Sequence, residues 1–300
     1  MIKRIIDISK QSYLFTEQRQ LLIKQDSEIV GRIPIEDIGV LILQHQAIVL
    51  SQALVIACQK NNVALVFCDE RHLPYSLVLP LSEGNRLHQK VLKNQIEAHK
   101  GTRNRIWKQV VSVKILNQSR VLKYANKEFR HLESLSRRVK SGDSANHEAQ
   151  AAQKYWPLLF GKTFRRDKSA DGINSLLNYG YAVVRAIIAR AIVASGLHPA
   201  LGINHHNQYN GLCLADDLME PFRPWVDHVV LQIVKIDSNA CINRQTKQRL
   251  LSIPFVSVCY NNRTMPFMVA SHYLLADFKR ALNGEIKNLI YPERTLDHSS

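Results

Sequence analysis

The chain has 300 residues, 46% of them hydrophobic, with 40 Lys and Arg against 25 Asp and Glu and a formal net charge of +15. That allows a sizeable core and two domains of ordinary size, and the surplus of cations points to an anionic partner, most often nucleic acid. Membrane insertion, secretion and a cysteine-based metal motif are disfavoured: no run approaches ~18 uninterrupted apolar residues, MIKRIIDISK lacks a signal-peptide core, and the five cysteines include no CxxC, which fits a reducing cytoplasm.

Residues 1–82 read as a β-rich domain. Short β-branched runs such as Arg4–Ile8, Tyr13–Phe15, Gln20–Ile23 and Ile38–Leu43 alternate with polar turns. One helix interrupts them, Ser51–Lys60, with Ser51 as its N-cap. This half carries no cluster of catalytic residue types, so packing and dimerisation are its expected tasks. The pattern changes at Leu81–Asn85, with residues 83–100 as linker and first helix. Residues 101–300 are expected to be helical, giving an α+β chain: a small N-terminal β-sheet domain followed by a larger all-α domain.

Residues 86–140 hold 15 Lys or Arg against three acids. Apolar residues recur there at helical spacing, which predicts amphipathic helices with basic outer faces. Such faces neutralise DNA phosphates without reading sequence. A further helix starts near Asp143-Ser144 and runs to Pro157, with Glu148, Ala152 and Tyr155 on one face. The longest helix is expected over Ile173–Ser195, apolar nearly all round, with Asn178 and Gly180 as unusual members. Gly180 suggests a close neighbour, and Arg185 and Arg190 require acids, phosphate or solvent.

The chemically densest stretch is Leu201–Asp227, LGINHHNQYNGLCLADDLMEPFRPWVD. Its first half reads as a Gly- and Asn-rich loop. Its second half reads as a short helix that ends near Pro221 and Pro224. Asp217 and Glu220 lie three apart on one face of that helix, and a loop histidine could swing over them. Histidine with carboxylates suits a hard or borderline divalent cation; a solvated helix bearing two acids is the plainer alternative. A zinc site from His205, His206 and Cys213 lacks a fourth ligand at any usual spacing, and no GxSxG elbow is present. Further helices are expected over Val229–Ile236, Gln245–Leu251 and Ser271–Leu289, then a disordered tail from Leu296.

Three patterns align with one family: Glu148 with Ala152 and Tyr155-Trp156; Leu177-Asn178-Tyr179-Gly180-Tyr181; and Leu201-Gly202-Ile203-Asn204-His205 followed by Asp216-Asp217-Leu218-Met219-Glu220-Pro221-Phe222-Arg223-Pro224. Their order and spacing resemble the CRISPR-associated endonuclease and integrase of spacer acquisition, the "Cas-one" family, and most of all its type II members. The resemblance implies a catalytic helical domain, a homodimer, a "Cas-two" adaptation subunit as partner, and double-stranded DNA, both protospacer and CRISPR repeat, as substrate, with no membrane. It implies Mg²⁺ or Mn²⁺ held by Glu148, His205 and Glu220, which are also the catalytic residues; no other cofactor-binding residues are implied. Asp217, Asn178 and Arg223 are possible assisting residues: Asp217 as first of the acidic pair, Asn178 to orient a ligand, Arg223 to hold a phosphate. His206 directly follows His205, so the ligand position has a one-residue alternative. A non-catalytic, sequence-tolerant DNA-binding scaffold is the competing reading.

Overall fold

The computed structural model describes residues 3–70, 74–79 and 88–294. The expected change of character at 81–85 and the tail from 296 lie outside them. The chain divides into two compact units, Met1–His88 with Arg190–Leu197, and Gln89–Ala189 with His198–Ser300.

The first unit contains β1 (Arg4–Ile8), β2 (Tyr13–Glu17), β3 (Gln20–Gln25), β4 (Glu28–Pro34), β5 (Ile38–Leu43), β6 (Val49–Leu50), α1 (Gln52–Lys60), β7 (Ala64–Cys68) and β8 (Pro74–Val78). They form two four-stranded sheets, ordered β1-β5-β7-β8 and β4-β3-β2-β6. β5 reads IGVLIL and is buried at every position. Such an unbroken apolar run suits a central strand flanked by parallel neighbours and covered on both faces, and β1 and β7 both pair with it in parallel. The hairpins of β2, β3 and β4 turn at Gln18-Arg19 and Asp26-Ser27, all four at positive φ, the turn geometry whose twist matches that of the strands. Ser51 caps α1 by accepting the Leu54 amide at 3.2 Å.

The second unit is built on α2 (His88–Glu97), α3 (Lys100–Tyr124), α4 (Arg130–Arg137), α5 (His147–Phe160), α6 (Ile173–Ala194), α7 (Cys213–Met219), α8 (Arg223–Ile236), α9 (Arg244–Leu250), β9 (Ser257–Tyr260), β10 (Arg263–Pro266) and α10 (Phe267–Leu282). It is mainly helical but not all-α. β9 and β10 form an antiparallel hairpin turning at Asn261-Asn262, at φ 48° and 61°. The expected helix at Ser271–Leu289 accordingly starts earlier, at Phe267, and stops at Leu282.

Two further expectations change. The longest helix is α3, with 25 residues against 22 for α6. α3 has the buried apolar side that the spacing predicts, with Ile106, Val110 and Val121 buried along it, and Asn117 is buried with them. And although α7 ends at Met219, near Pro221 as expected, Pro221 and Pro224 do not end helical structure. A 3-10 turn, Glu220–Phe222, leads straight into α8, where each proline sits in a first turn and forfeits no amide that the helix needs. α6 is long and apolar enough to cross a membrane, yet 83% of its most apolar window is buried within the fold. Gly180 lets α8 approach it: a Cβ there would overlap the Val226 side chain. Arg190 donates to the Asn62 carbonyl at 2.6 Å, and Arg185 pairs with Asp216 at 2.7 Å.

Candidate functional site

The site gathers around a lysine. Lys114 follows Val110 by one turn of α3 and precedes Asn117 by another, so it occupies a slot in the helix's buried stripe. Its Nζ lies 2.6 Å from Glu148 Oε1 and also contacts Glu220 Oε2. Burial alone would lower its pKa, but Glu220 and then Glu148 more than offset that and hold the ammonium charged.

Each carboxylate is positioned by a local device. Asp143 accepts the His147 and Glu148 amides at 2.9 and 3.0 Å, satisfying the free N–H groups of the α5 N-terminus and fixing Glu148 in its first turn. Glu220 sits in the 3-10 turn, which Asn117 of α3 holds by donating to the Pro221 carbonyl at 2.8 Å. Arg223 Nε donates to Glu220 Oε1 at 2.7 Å. Burial would raise the Glu220 pKa, yet Arg223 and Lys114 pull it down to about 2.

The loop before α7 is tied to a single carboxylate. Asp217 is fully buried and accepts the Ile203, Asn204 and His205 amides at 2.6, 3.0 and 3.2 Å. The same carboxylate takes His205 Nδ1 at 2.5 Å, a bond that raises the His205 pKa against its partial burial. In the neutral ring Nδ1 carries the proton toward Asp217 and the Nε2 lone pair is then open to a ligand, the arrangement common to metal-bound histidines. Trp107 meets the ring edge-on at 5.7 Å. Gly202 permits the loop to close, since a Cβ there would overlap the His205 carbonyl.

Among the described residues, no three His, Cys, Asp or Glu side chains close on one point as a metal cage. The reason is visible: the Lys114 ammonium stands between the two glutamates, and His205 is drawn to Asp217. Beside them opens a cleft of about 580 Å³ lined by Arg166, Lys168, Arg185 and Arg223 together with His205 and Glu220.

A family model described as CRISPR associated protein Cas1 matches residues 6–248. The chain belongs to the Cas1 family. It is 32% identical over 297 residues to a CRISPR-associated endonuclease Cas1 from Neisseria meningitidis serogroup C (strain 8013), covering 98% of this chain and 97% of the relative. Its fold is similar to a casposase bound to integration product, at TM-score 0.78 and 20% identity, covering 96% and 92% of the two chains. It is also similar to a chain of a Cas6-RT-Cas1–Cas2 complex, at TM-score 0.76 and 16% identity, covering 98% of this chain and 36% of that one.

The structure thus brings Glu148 and Glu220 onto one cation, while His205 is bonded to Asp217 and feels the charge of both glutamates. His206 is exposed and lines the cleft. Cys213 is buried, its thiol donating to the Asn210 carbonyl at 3.2 Å. Asn178 bonds none of the three expected ligands. It accepts from Arg166 at 2.5 Å and donates to the Lys168 carbonyl at 2.8 Å, so it fixes the loop that brings these two cations to the cleft. Arg223 commits Nε to Glu220 and lays its guanidinium over the Tyr181 ring at 4.6 Å, where Arg166 also packs.

Sequence reasoning missed Lys114, Arg166 and the group beneath them. Tyr155 donates to Asp227 at 2.9 Å and Tyr181 donates to its other oxygen, so α5, α6 and α8 are cross-braced by one buried carboxylate. Burial lifts the Asp227 pKa to about 7 against both phenol hydrogen bonds, whereas an unfolded Asp titrates near ~3.9. The folded state therefore holds this proton more tightly, and the stability it contributes falls as pH rises from about 4 to about 7. Denaturation at pH 5 and pH 8 should show the wild type losing on the order of 1–4 kcal/mol more than Asp227→Asn over that interval. Parallel pH profiles for the two proteins would remove Asp227 as the source.

Proposed function

We propose that the chain is a metal-dependent DNA endonuclease and integrase, which inserts protospacer DNA into a CRISPR array by attack of a 3′-hydroxyl on a repeat-end phosphate. The observation that carries this reading is the pair of carboxylates, Glu148 and Glu220, already sharing one cation beside a histidine with an unengaged Nε2. That donor set fits Mg²⁺ or Mn²⁺, and the imidazole favours Mn²⁺ somewhat. When bound, the ion would be held by Glu148, Glu220 and His205 and would polarise the scissile phosphate.

The chain's own residues supply the rest. Asp217 fixes the tautomer and direction of His205. Arg223 keeps Glu220 ionised, and with Arg166, Lys168 and Arg185 it gives the cleft a cationic wall for phosphate oxygens. With water as nucleophile the same site cleaves branched DNA. A homodimer through the first unit is part of the proposal, supported by exposed Tyr13, Ile29, Val30 and Val49 there. So are a cytoplasmic location and a Cas2-type adaptation subunit, the partner named for the similar fold in the Cas6-RT-Cas1–Cas2 complex.

The test separates this from a DNA-binding scaffold. Strand joining of a 3′-hydroxyl duplex to a repeat-bearing target should disappear with EDTA and return with Mn²⁺, while DNA retention in a mobility assay persists throughout. Joining that survives EDTA would end the metal-dependent reading.

A further inference from the structure

Lys114 is an unusual neighbour for two expected metal ligands. Its side chain is 14% exposed, and it stands where one positive charge reaches both Glu148 and Glu220. Two carboxylates and two cations, Lys114 and Arg223, already balance one another here. An entering divalent ion therefore meets no bare pair of anions. It must replace an ammonium that is hydrogen-bonded to Glu148 and ion-paired to Glu220.

We propose that Lys114 is a resident cation that makes metal binding conditional on DNA. Resting on the site reading above, the inference is that ion entry between Glu148 and Glu220 displaces the Lys114 ammonium. The displaced group keeps its charge, loses both acceptors, and lies beside a dication in a site with little solvent. An unpaired ammonium in such a place is costly. The nearest remedy is an anion arriving through the adjoining cationic cleft, and a DNA phosphate is the anion this cleft suits. Phosphate would accept from Lys114 and so relieve the repulsion that ion entry creates. Metal and DNA then favour one another, and by linkage each strengthens the other's binding by the same factor. Without DNA the glutamates stay on the lysine, and the site holds its ion weakly.

Lys114→Met removes the competitor. The variant can fold, because Glu220 keeps Arg223 at 2.7 Å and the Glu148 side chain, 27% exposed, can reach water. Lys114→Gln, which retains a donor toward Glu148, is a second variant with smaller disturbance. The measurement is Mn²⁺ affinity by electron paramagnetic resonance, with and without a duplex whose 3′ ends are dideoxy, so that no joining occurs. For the wild type, DNA should tighten Mn²⁺ binding about tenfold or more. For Lys114→Met, DNA-free affinity should rise about tenfold or more, and the gain from DNA should shrink to about threefold or less; Lys114→Gln should fall between. Unchanged DNA-free affinity in both variants, with Mn²⁺ still lost in Glu220→Gln, overturns the role of Lys114 and leaves the site reading intact. Equal Mn²⁺ affinity in Lys114→Met and in the Lys114→Met/Glu220→Gln double variant places the ion elsewhere and overturns both.

Discussion

Glu148→Ala, His205→Ala and Glu220→Gln should each lower strand joining and branched-DNA cleavage by about a hundredfold or more, equivalent to roughly 3 kcal/mol of transition-state stabilisation. The three side chains are proposed to serve one ion, so losing any one disables the same function. Double variants should consequently be little worse than single ones. Glutamine is the better replacement at 220. Glu220→Ala would leave Lys114 with Glu148 alone and strip Arg223 of its carboxylate partner, and breaking a buried ion cluster costs about 3–5 kcal/mol of stability. Glu148 is more exposed and its loss should be gentler on the fold. His206→Ala should be mild, since that ring is exposed. An inactive His206→Ala beside an active His205→Ala would move the ligand by one residue. Full activity of Glu148→Ala would dissolve the three-ligand site.

Reversal of the exposed cations should act on every DNA sequence alike. Lys100, Lys108, Lys123, Lys127, Arg130, Arg138 and Lys140 are exposed members of the basic block. Arg137 is better left out, because it pairs with Glu133 at 2.6 Å. Changing five of the others to Glu should weaken DNA binding about a hundredfold or more near 0.1 M salt. The slope of log affinity against log salt should flatten by about 0.9 for each phosphate that is no longer neutralised. Fluorescence anisotropy across a salt series measures both. If affinity and slope are unchanged, the block is a solvated surface. Lys114, though it belongs to the same block by sequence, is buried against acids and should leave the metal-free salt slope nearly untouched.

Much of this architecture is legible in the residues. The β5 run and the α1 cap follow from local chemistry, and Gly180 signals the close approach of α8. Glu148, His205 and Glu220 come from motif order rather than from geometry, which no spacing along the chain encodes. The rest is hidden for identifiable reasons. The β9–β10 hairpin is short and turns on Asn-Asn without glycine, a weaker signal than Asn-Gly. Two prolines resemble helix breakers because a 3-10 turn can precede α8 without any mark in composition. Lys114 is masked by its neighbours: among 15 cations it reads as one more surface charge. The readable clue is its register, four residues after buried Val110 and three before buried Asn117. Asp217 has the residue type of a ligand, but its carboxylate is already filled by three amides and the imidazole.

The bond from Asn117 to the Pro221 carbonyl spans 104 residues, and the Lys114 ion pair with Glu220 spans a similar length of chain. Neither can form until Glu220 and Pro221 have left the ribosome, and closing so large a loop comes late in folding. A nascent chain that ends between Glu148 and Glu220 therefore carries one carboxylate and the basic block but no assembled centre. For a protein expected to cut and join the cell's own DNA, this is a safeguard in time: products of translation interrupted in that window would present the basic block without the means to break what it binds.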